Sequence, residues 1–288
     1  MSATQVKWVF LVVLALVWGS SFILIKRGLI GLTAIQLGSL RMVFAATFLL
    51  AIGFKTLPNI PRHQWKYIAL TALFGTFIPA YFFSIAQTEI DSTVSSILNS
   101  LTPLNTLILG FLLFGIRFQR RQVIGVFIGL VGSALLILNG AMNHPEQNYY
   151  YAILIIVASV CYATNVNLIK KYLSDLSPLT ISTGNFFVLL FPALAVLTFS
   201  GFFTVLPQAE VQQSIVYVMI LGVVGTGVAN ILFFKLIQIS SPVFATSVTY
   251  LIPVVAFFWG LLDNEMLTPV QFVGALIILI GVYMSSRK

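Results

Sequence analysis

The sequence predicts an all-α integral membrane protein of ten transmembrane helices, built as two inverted five-helix repeats with both termini cytoplasmic. Three observations carry this expectation. First, 59% of the 288 residues are hydrophobic and only 8% are charged, with a mean hydropathy of +1.03. A soluble domain carries about 25% charged residues, so most of this surface must face lipid. Second, a spanning helix needs about 20 apolar residues, and ten such stretches follow one another: 6–25, 33–53, 66–86, 92–114, 121–139, 149–170, 178–200, 213–236, 242–262 and 269–286. Third, Gly75, Phe83 and Pro103 recur 150 residues later as Gly225, Phe233 and Pro253. An odd number of spans separates the copies, so the second is upside down in the bilayer. Two halves related in this way can rock about a shared central site.

The first stretch follows Lys7 and could resemble a signal peptide, but Trp18-Gly19 is a poor cleavage site and nine apolar stretches follow, so it reads as a retained helix. The second stretch contains Arg41, the deepest charge in any span. The fourth carries Ser95, Asn99, Thr102 and Thr106 at spacings of four, three and four, which places them on one helical face. Gly125, Gly129 and Gly132 in the fifth read as close helix packing within the monomer. The lone Cys161 lies in the sixth, where it reads as a small packing residue and can form no intramolecular disulfide. In the ninth, Thr246, Thr249, Tyr250 and Pro253 share a face. The connections are short, so the chain divides only into its two repeats, 1–142 and 148–288.

Charge placement sets the expected orientation. With the N-terminus inside, twelve of the fifteen basic residues fall in cytoplasmic segments, whereas the outer loops hold only Lys26 and Arg27. The net charge of +8 therefore encodes topology in a cell-membrane protein rather than a nucleic-acid partner. His63 and His144 lie in loops without companion ligands, so neither a metal site nor a cofactor is expected.

The repeat extends beyond the prolines. Trp18-Gly-Ser-Ser-Phe-Ile-Leu-Ile-Lys26 aligns with Tyr162-Ala-Thr-Asn-Val-Asn-Leu-Ile-Lys170 at an offset of 144, which also places Arg41 on Asn185. The chain resembles the EamA-like family of ten-span proteins in the drug/metabolite transporter superfamily. The resemblance is carried by Trp18-Gly19 with Lys26, Leu40-Arg41, Ser92 to Pro103, Phe233 to Ile239, Tyr250-Leu-Ile-Pro253, Gly260 to Glu265 and Gly274 to Gly281. One departure is that Gly115 stands where the family usually closes the fourth span with an acid, as Glu265 closes the ninth. The resemblance implies a central cavity lined by the first, third, fourth, sixth, eighth and ninth spans, with the fifth and tenth peripheral.

Polar side chains inside a membrane are costly and usually face the bundle interior or a wet cavity. The candidate substrate-binding residues are Trp18, Ser21, Tyr81, Ser95, Asn99, Thr102, Asn165, Asn230, Thr246 and Tyr250. Pro79, Pro103 and Pro253 are candidate kinks, since each removes a backbone donor and leaves a carbonyl to bind something. Arg41 could pair with a substrate carboxylate, but because the second span is expected to be less central a structural role is favoured. Asn167 points about 200° away from Asn165 and is left out.

No Asp or Glu lies in the middle of a span, which disfavours proton-coupled export of hydrophobic cations. No P-loop, catalytic triad or metal cluster suggests ATP use or enzymatic chemistry. The expectation is an exporter or facilitator of small neutral or zwitterionic metabolites. That these are amino acids or related compounds is what the resemblance implies. A multidrug or quaternary-ammonium exporter is the alternative with the same architecture. From other classes the alternatives are a non-transporting scaffold or receptor and an intramembrane lipid enzyme, the last lacking any carboxylate or His within the spans. The partners are then a small-molecule substrate and membrane lipid, with a monomer favoured over a homodimer.

Overall fold

The structure, a computed structural model, describes residues 3–90, 92–141, 148–262 and 269–286. In chain order its α-helices are α1 (Ala3–Gly28), α2 (Ala34–Gly53), α3 (Trp65–Ala72), α4 (Ile78–Ala86), α5 (Ser92–Asn99), α6 (Thr102–Phe114), α7 (Arg120–Ala141), α8 (Ala152–Tyr172), α9 (Pro178–Phe199), α10 (Phe202–Val205), α11 (Ala209–Gly222), α12 (Ala229–Ile239), α13 (Pro242–Thr246), α14 (Val248–Leu262) and α15 (Pro269–Ser286). Among the described residues there is no β-strand. Among the described residues six helical segments are long and apolar enough to cross a membrane: Gln5–Gly28, Ala34–Asn59, Arg62–Ala86, Ala152–Tyr172, Pro178–Phe199 and Ala209–Ile239.

Local chemistry explains where helices begin. Thr33 caps α2 by accepting from the Gln36 amide at 3.3 Å, while the Gln36 side chain returns to the Thr33 N–H at 3.0 Å. Ser177 caps α9 in the same way, accepting from the Thr180 N–H at 3.1 Å. These reciprocal or single caps satisfy donors that a helix start leaves unpaired.

Two apolar stretches that the sequence reads as uninterrupted spans contain wide π-helical turns, Leu73–Phe77 between α3 and α4 and Val223–Val228 between α11 and α12. Their starting positions are 150 residues apart, the offset that relates Gly75 to Gly225. Single π turns inside α-helices are often found at functional sites.

Two other stretches are broken. The stretch 92–114 divides between α5 and α6 at Ser100 and Leu101, and 242–262 divides between α13 and α14 at Ser247. Pro103 sits in the first turn of α6, so its missing donor falls near the break. Pro253 instead lies inside α14, six residues beyond the break. The expectation that prolines leave carbonyls available for a ligand is corrected here. The carbonyl one turn before Pro103, that of Asn99, accepts from Thr102 Oγ1 at 2.7 Å. The corresponding carbonyl before Pro253, that of Thr249, accepts from Ser100 Oγ at 3.3 Å. Buried backbone groups are paired in this way because an orphan in hydrocarbon costs several kcal/mol.

The helices pack around one interior. α7 lies along α15, α2 along α9, α1 along α14 and α6 along α8. The α7–α15 seam is tight because Gly132 and Gly281 let the backbones approach. The largest buried cluster gathers Leu11, Leu14, Phe234, Phe244 and Tyr250.

Candidate functional site

A cavity of about 100 Å³ lies among these helices. Its wall is drawn from α1, α2, α4, α5, α6, α8, α12, α13, α14 and both π-helical turns. Among the described side chains, none from α7 or α15 lines it.

The lining is ordered by the two sequence offsets. At 144, Trp18 pairs with Tyr162, Ser21 with Asn165 and Phe22 with Val166; all six residues face the cavity. At 150, Gly75 pairs with Gly225, Thr76 with Thr226 and Ala80 with Asn230. Phe83 with Phe233, Asn99 with Thr249 and Thr102 with Ile252 complete that set. Only Ile25, Arg41 and Thr246 line the cavity without a lining counterpart. The aromatic contacts repeat too: Trp18 meets Phe233 edge-on at 5.0 Å between ring centroids, and Tyr162 meets Phe83 at 6.0 Å.

Seven of the ten candidate residues line this cavity: Trp18, Ser21, Asn99, Thr102, Asn165, Asn230 and Thr246. Several are already engaged with the protein. Trp18 Nε1 donates to the Gly225 carbonyl at 3.0 Å. Ser21 and Thr246 donate back to their own helices, to Val17 and Pro242. Asn99 Oδ1 accepts from Thr102 Oγ1 at 3.2 Å. Asn165 is 3% exposed, and its Oδ1 has no hydrogen-bond partner.

Three candidates lie elsewhere. Tyr81 turns away from the cavity to share a hydrogen bond with Ser39 of α2 at 2.8 Å, with its ring edge-on to Phe77. The residue aligned with Asn230 is Ala80, and one further step along a helix rotates by about 100°, which takes Tyr81 off the wall. Tyr250 is fully buried and its hydroxyl donates to the Val126 carbonyl of α7 at 3.0 Å. It ties α14 to α7 while its neighbour Thr249 takes the wall position. Ser95 is fully buried outside the lining, and its Oγ has no partner. Ser95 sits one helical turn, about 6 Å, before Asn99 on α5, beyond the edge of the wall.

Of the candidate kinks, Pro79 lies directly after the first π-helical turn, in the opening turn of α4. Asn167, set aside on the helical wheel, donates to the Thr106 carbonyl at 3.0 Å away from the cavity. Gly115 adopts a left-handed φ of 64° at the end of α6; that conformation favours glycine over an acid there. Glu265 lies outside the described residues. Among the described residues no group of His, Cys, Asp or Glu could hold a metal ion.

Five polar lining residues are absent from the sequence-derived set: Arg41, Thr76, Tyr162, Thr226 and Thr249. Arg41 reaches the cavity from α2 and donates through Nε to Thr226 Oγ1 at 2.6 Å. The expectation that it plays only a structural part is thus incomplete. The signal for Tyr162 and Thr226 was present in the offsets, which set them opposite Trp18 and Thr76.

The model of the EamA-like transporter family matches residues 6–138 and again 150–287. The chain belongs to the EamA-like transporter family. With it comes membership of the drug/metabolite transporter superfamily, and a multi-pass membrane transporter is the resulting description. An uncharacterized transporter from Archaeoglobus fulgidus is 28% identical over 293 residues, covering 98% of this chain and 99% of its own length. A protein of Escherichia coli K12 named as a probable amino-acid metabolite efflux pump is 25% identical over 284 residues, covering 96% and 93%. One protein of known crystal structure superposes with a TM-score of 0.75 at 15% identity, covering 99% of this chain and 96% of its own, which supports the fold.

Proposed function

We propose that this EamA-like protein is a secondary transporter, an exporter or facilitator of small neutral or zwitterionic metabolites, with amino acids and related compounds foremost. The observation that carries the proposal is the cavity whose wall is assembled from offset-related residues of both sequence halves. A site built from two equivalent halves is what alternating access around a fixed centre requires. The naming of the Escherichia coli relative as a probable amino-acid metabolite efflux pump supports the substrate class.

On this reading the chain spans the membrane ten times, as repeats 1–142 and 148–288 of opposite orientation with both termini in the cytoplasm. Helix packing supports the repeat: the contact of α1 with α14 has its counterpart in that of α8 with α6. On the same reading the conformation is one closed at the end that carries Lys170, which this topology makes cytoplasmic. Lys170 at the end of α8 donates to the carbonyls of Ile237, Gln238 and Ser240 at 3.0, 3.3 and 2.9 Å, gripping the C-terminus of α12. Its repeat counterpart Lys26 makes no hydrogen bond among the described residues and is exposed. Cations at helix C-termini are favourable, so the two lysines are suited to latch opposite ends in alternation.

The quaternary-ammonium alternative is less well supported, since among the described residues Arg41 is the one charged residue in the lining. The test is counterflow in proteoliposomes with labelled amino acids, polyamines and organic cations, with and without a pH gradient. Saturable amino-acid exchange insensitive to the gradient supports the reading. Exchange confined to cations and driven by protons refutes it.

A further inference from the structure

We infer that Arg41, Thr226 and Tyr162 form an anion pole that binds the carboxylate of a substrate whose remainder is apolar; the inference rests on the transport reading above and narrows its substrate class. The two halves differ most at this point. The counterpart of Arg41 is Asn185, which lies outside the cavity, 1% exposed, against Thr71 Oγ1 at 2.9 Å. One half therefore presents a cation to the cavity and the other does not, so a bound molecule has a defined polarity.

The guanidinium has five N–H donors in a planar fork. Its Nε–H is taken by Thr226 Oγ1, and among the described residues no other hydrogen bond or carboxylate reaches it. The Thr226 hydroxyl in turn donates to the Leu221 carbonyl at 3.1 Å, so the Nε contact is held by the π-helical turn. That anchorage fixes one edge of the fork and leaves the terminal nitrogens for a ligand. Tyr162 lines the same cavity as the guanidinium.

A partly buried cation favours a nearby counter-charge, and among the described residues no carboxylate lines the cavity. The described acids Glu89, Asp175 and Glu210 are exposed and outside the lining. A substrate carboxylate matches the fork in a bidentate geometry. A single guanidinium balances a monoanion and undercompensates a phosphate dianion. The rest of the wall includes Phe22, Phe83, Phe233 and Ile252, which suit an apolar remainder. The unpartnered Oδ1 of Asn165 is an acceptor for an ammonium or N–H group on the same molecule.

The test is thermal unfolding of the full-length protein in detergent against matched probes: phenylalanine and phenylalaninamide, isovalerate and isovaleramide, and phenyl phosphate. The expected result is half-maximal stabilisation by each acid at a concentration at least about tenfold below its amide, with phenyl phosphate no better than the acids. Arg41→Gln should weaken acid binding about tenfold to hundredfold, the range of a lost charge-assisted hydrogen bond, and leave the amides unchanged. Arg41→Lys should restore part of the preference. Equal binding of acid and amide by the unaltered protein, tighter binding of phenyl phosphate, or retention of the preference in Arg41→Gln overturns the inference. If Arg41→Gln does not fold, the acid-to-amide ratio of the unaltered protein and of Arg41→Lys decides. Absence of stabilisation by either acid also overturns it. Stabilisation by acids without counterflow upholds the anion pole and removes the transport reading, so the two fail separately.

Discussion

The indole Nε1 of Trp18 donates to the carbonyl of Gly225 at 3.0 Å, joining α1 to the π-helical turn at the cavity wall. The same indole packs edge-on against Phe233. Trp18→Phe keeps an aromatic ring there and removes the donor. The carbonyl then loses a partner in a nearly dry environment, an unfavourable change of about 1–3 kcal/mol. A lower unfolding temperature in detergent is expected for the variant. An unchanged melting curve would show that the bond contributes nothing to stability.

Tyr250 gives the opposite kind of prediction. Its hydroxyl bonds the Val126 carbonyl, its ring lies against Gly129, and it has no place on the wall. Tyr250→Phe is therefore expected to lower stability by about 1 kcal/mol while leaving the half-saturation concentration for substrate unchanged. A large rise in that concentration with normal stability would return Tyr250 to the binding site.

These two aromatics show how much was legible in the sequence. The all-helical character and the apolar stretches follow from composition and length, quantities that local residue type sets directly. The lining followed largely from the internal offsets, which bring Trp18 and Tyr162, or Gly75 and Gly225, to matching places. What the sequence concealed was phase. A π-helical turn or a break at Ser100 and Leu101 changes which residues share a face, and a regular helical wheel through 92–114 cannot register that. Tyr81 and Tyr250 stand one residue out of phase with the wall positions Ala80 and Thr249, and Ser95 stands one turn short of Asn99. Arg41 reaches the wall although its helix is expected to be less central, because a long side chain extends well beyond its own backbone.

The matching glycines of the two π-helical turns test whether the cavity walls are used. A Cβ at Gly75 would stand 2.7 Å from the Asn165 amide, and one at Gly225 would stand 2.9 Å from Ser21 Oγ. The two contacts correspond to each other under the offsets, Gly75 with Gly225 and Asn165 with Ser21. Gly75→Ala and Gly225→Ala must push the opposing polar side chain into the cavity, and each is expected to slow counterflow severalfold while the protein remains monodisperse. The control is Gly201→Ala, whose added Cβ meets nothing closer than 3.7 Å; its positive φ costs about 1 kcal/mol in stability without altering transport. Normal counterflow in both cavity variants would place the transport path elsewhere.

Asn99 separates binding from packing. Its Oδ1 accepts from Thr102 Oγ1, while the residue itself faces the cavity at the end of α5. Thr102 retains its stronger bond to the Asn99 backbone carbonyl, so Asn99→Ala leaves the break capped. Counterflow is expected to fall with little loss of stability. Unimpaired transport would remove Asn99 from the site, and loss of folding would assign it to packing.

The lysine pair tests alternation itself. Lys170 makes three charge-assisted contacts to the end of α12, and bonds of that type contribute about 1.5–3 kcal/mol each when fully formed. The positions equivalent to Ile237, Gln238 and Ser240 at the offset of 150 are Gln87, Thr88 and Ile90, just beyond α4. In the opposite conformation Lys26 should therefore reach the carbonyls of 87, 88 and 90 while Lys170 lets go. Spin labels at the exposed Ser174 and Ile239 report the first latch, and labels at the exposed Arg27 and Glu89 report the other end. Cys161 is replaced by Ala in both labelled proteins to leave only the labelled thiols. Lys170→Met is expected to lengthen the Ser174–Ile239 distance in a new population and to shorten the Arg27–Glu89 distance in the same sample. Lys26→Met should leave the resting distances unchanged and slow exchange, because it removes the contact that stabilises the other state. If Lys170→Met changes neither distance, the lysine is only a helix cap and the closed end must be held by other contacts.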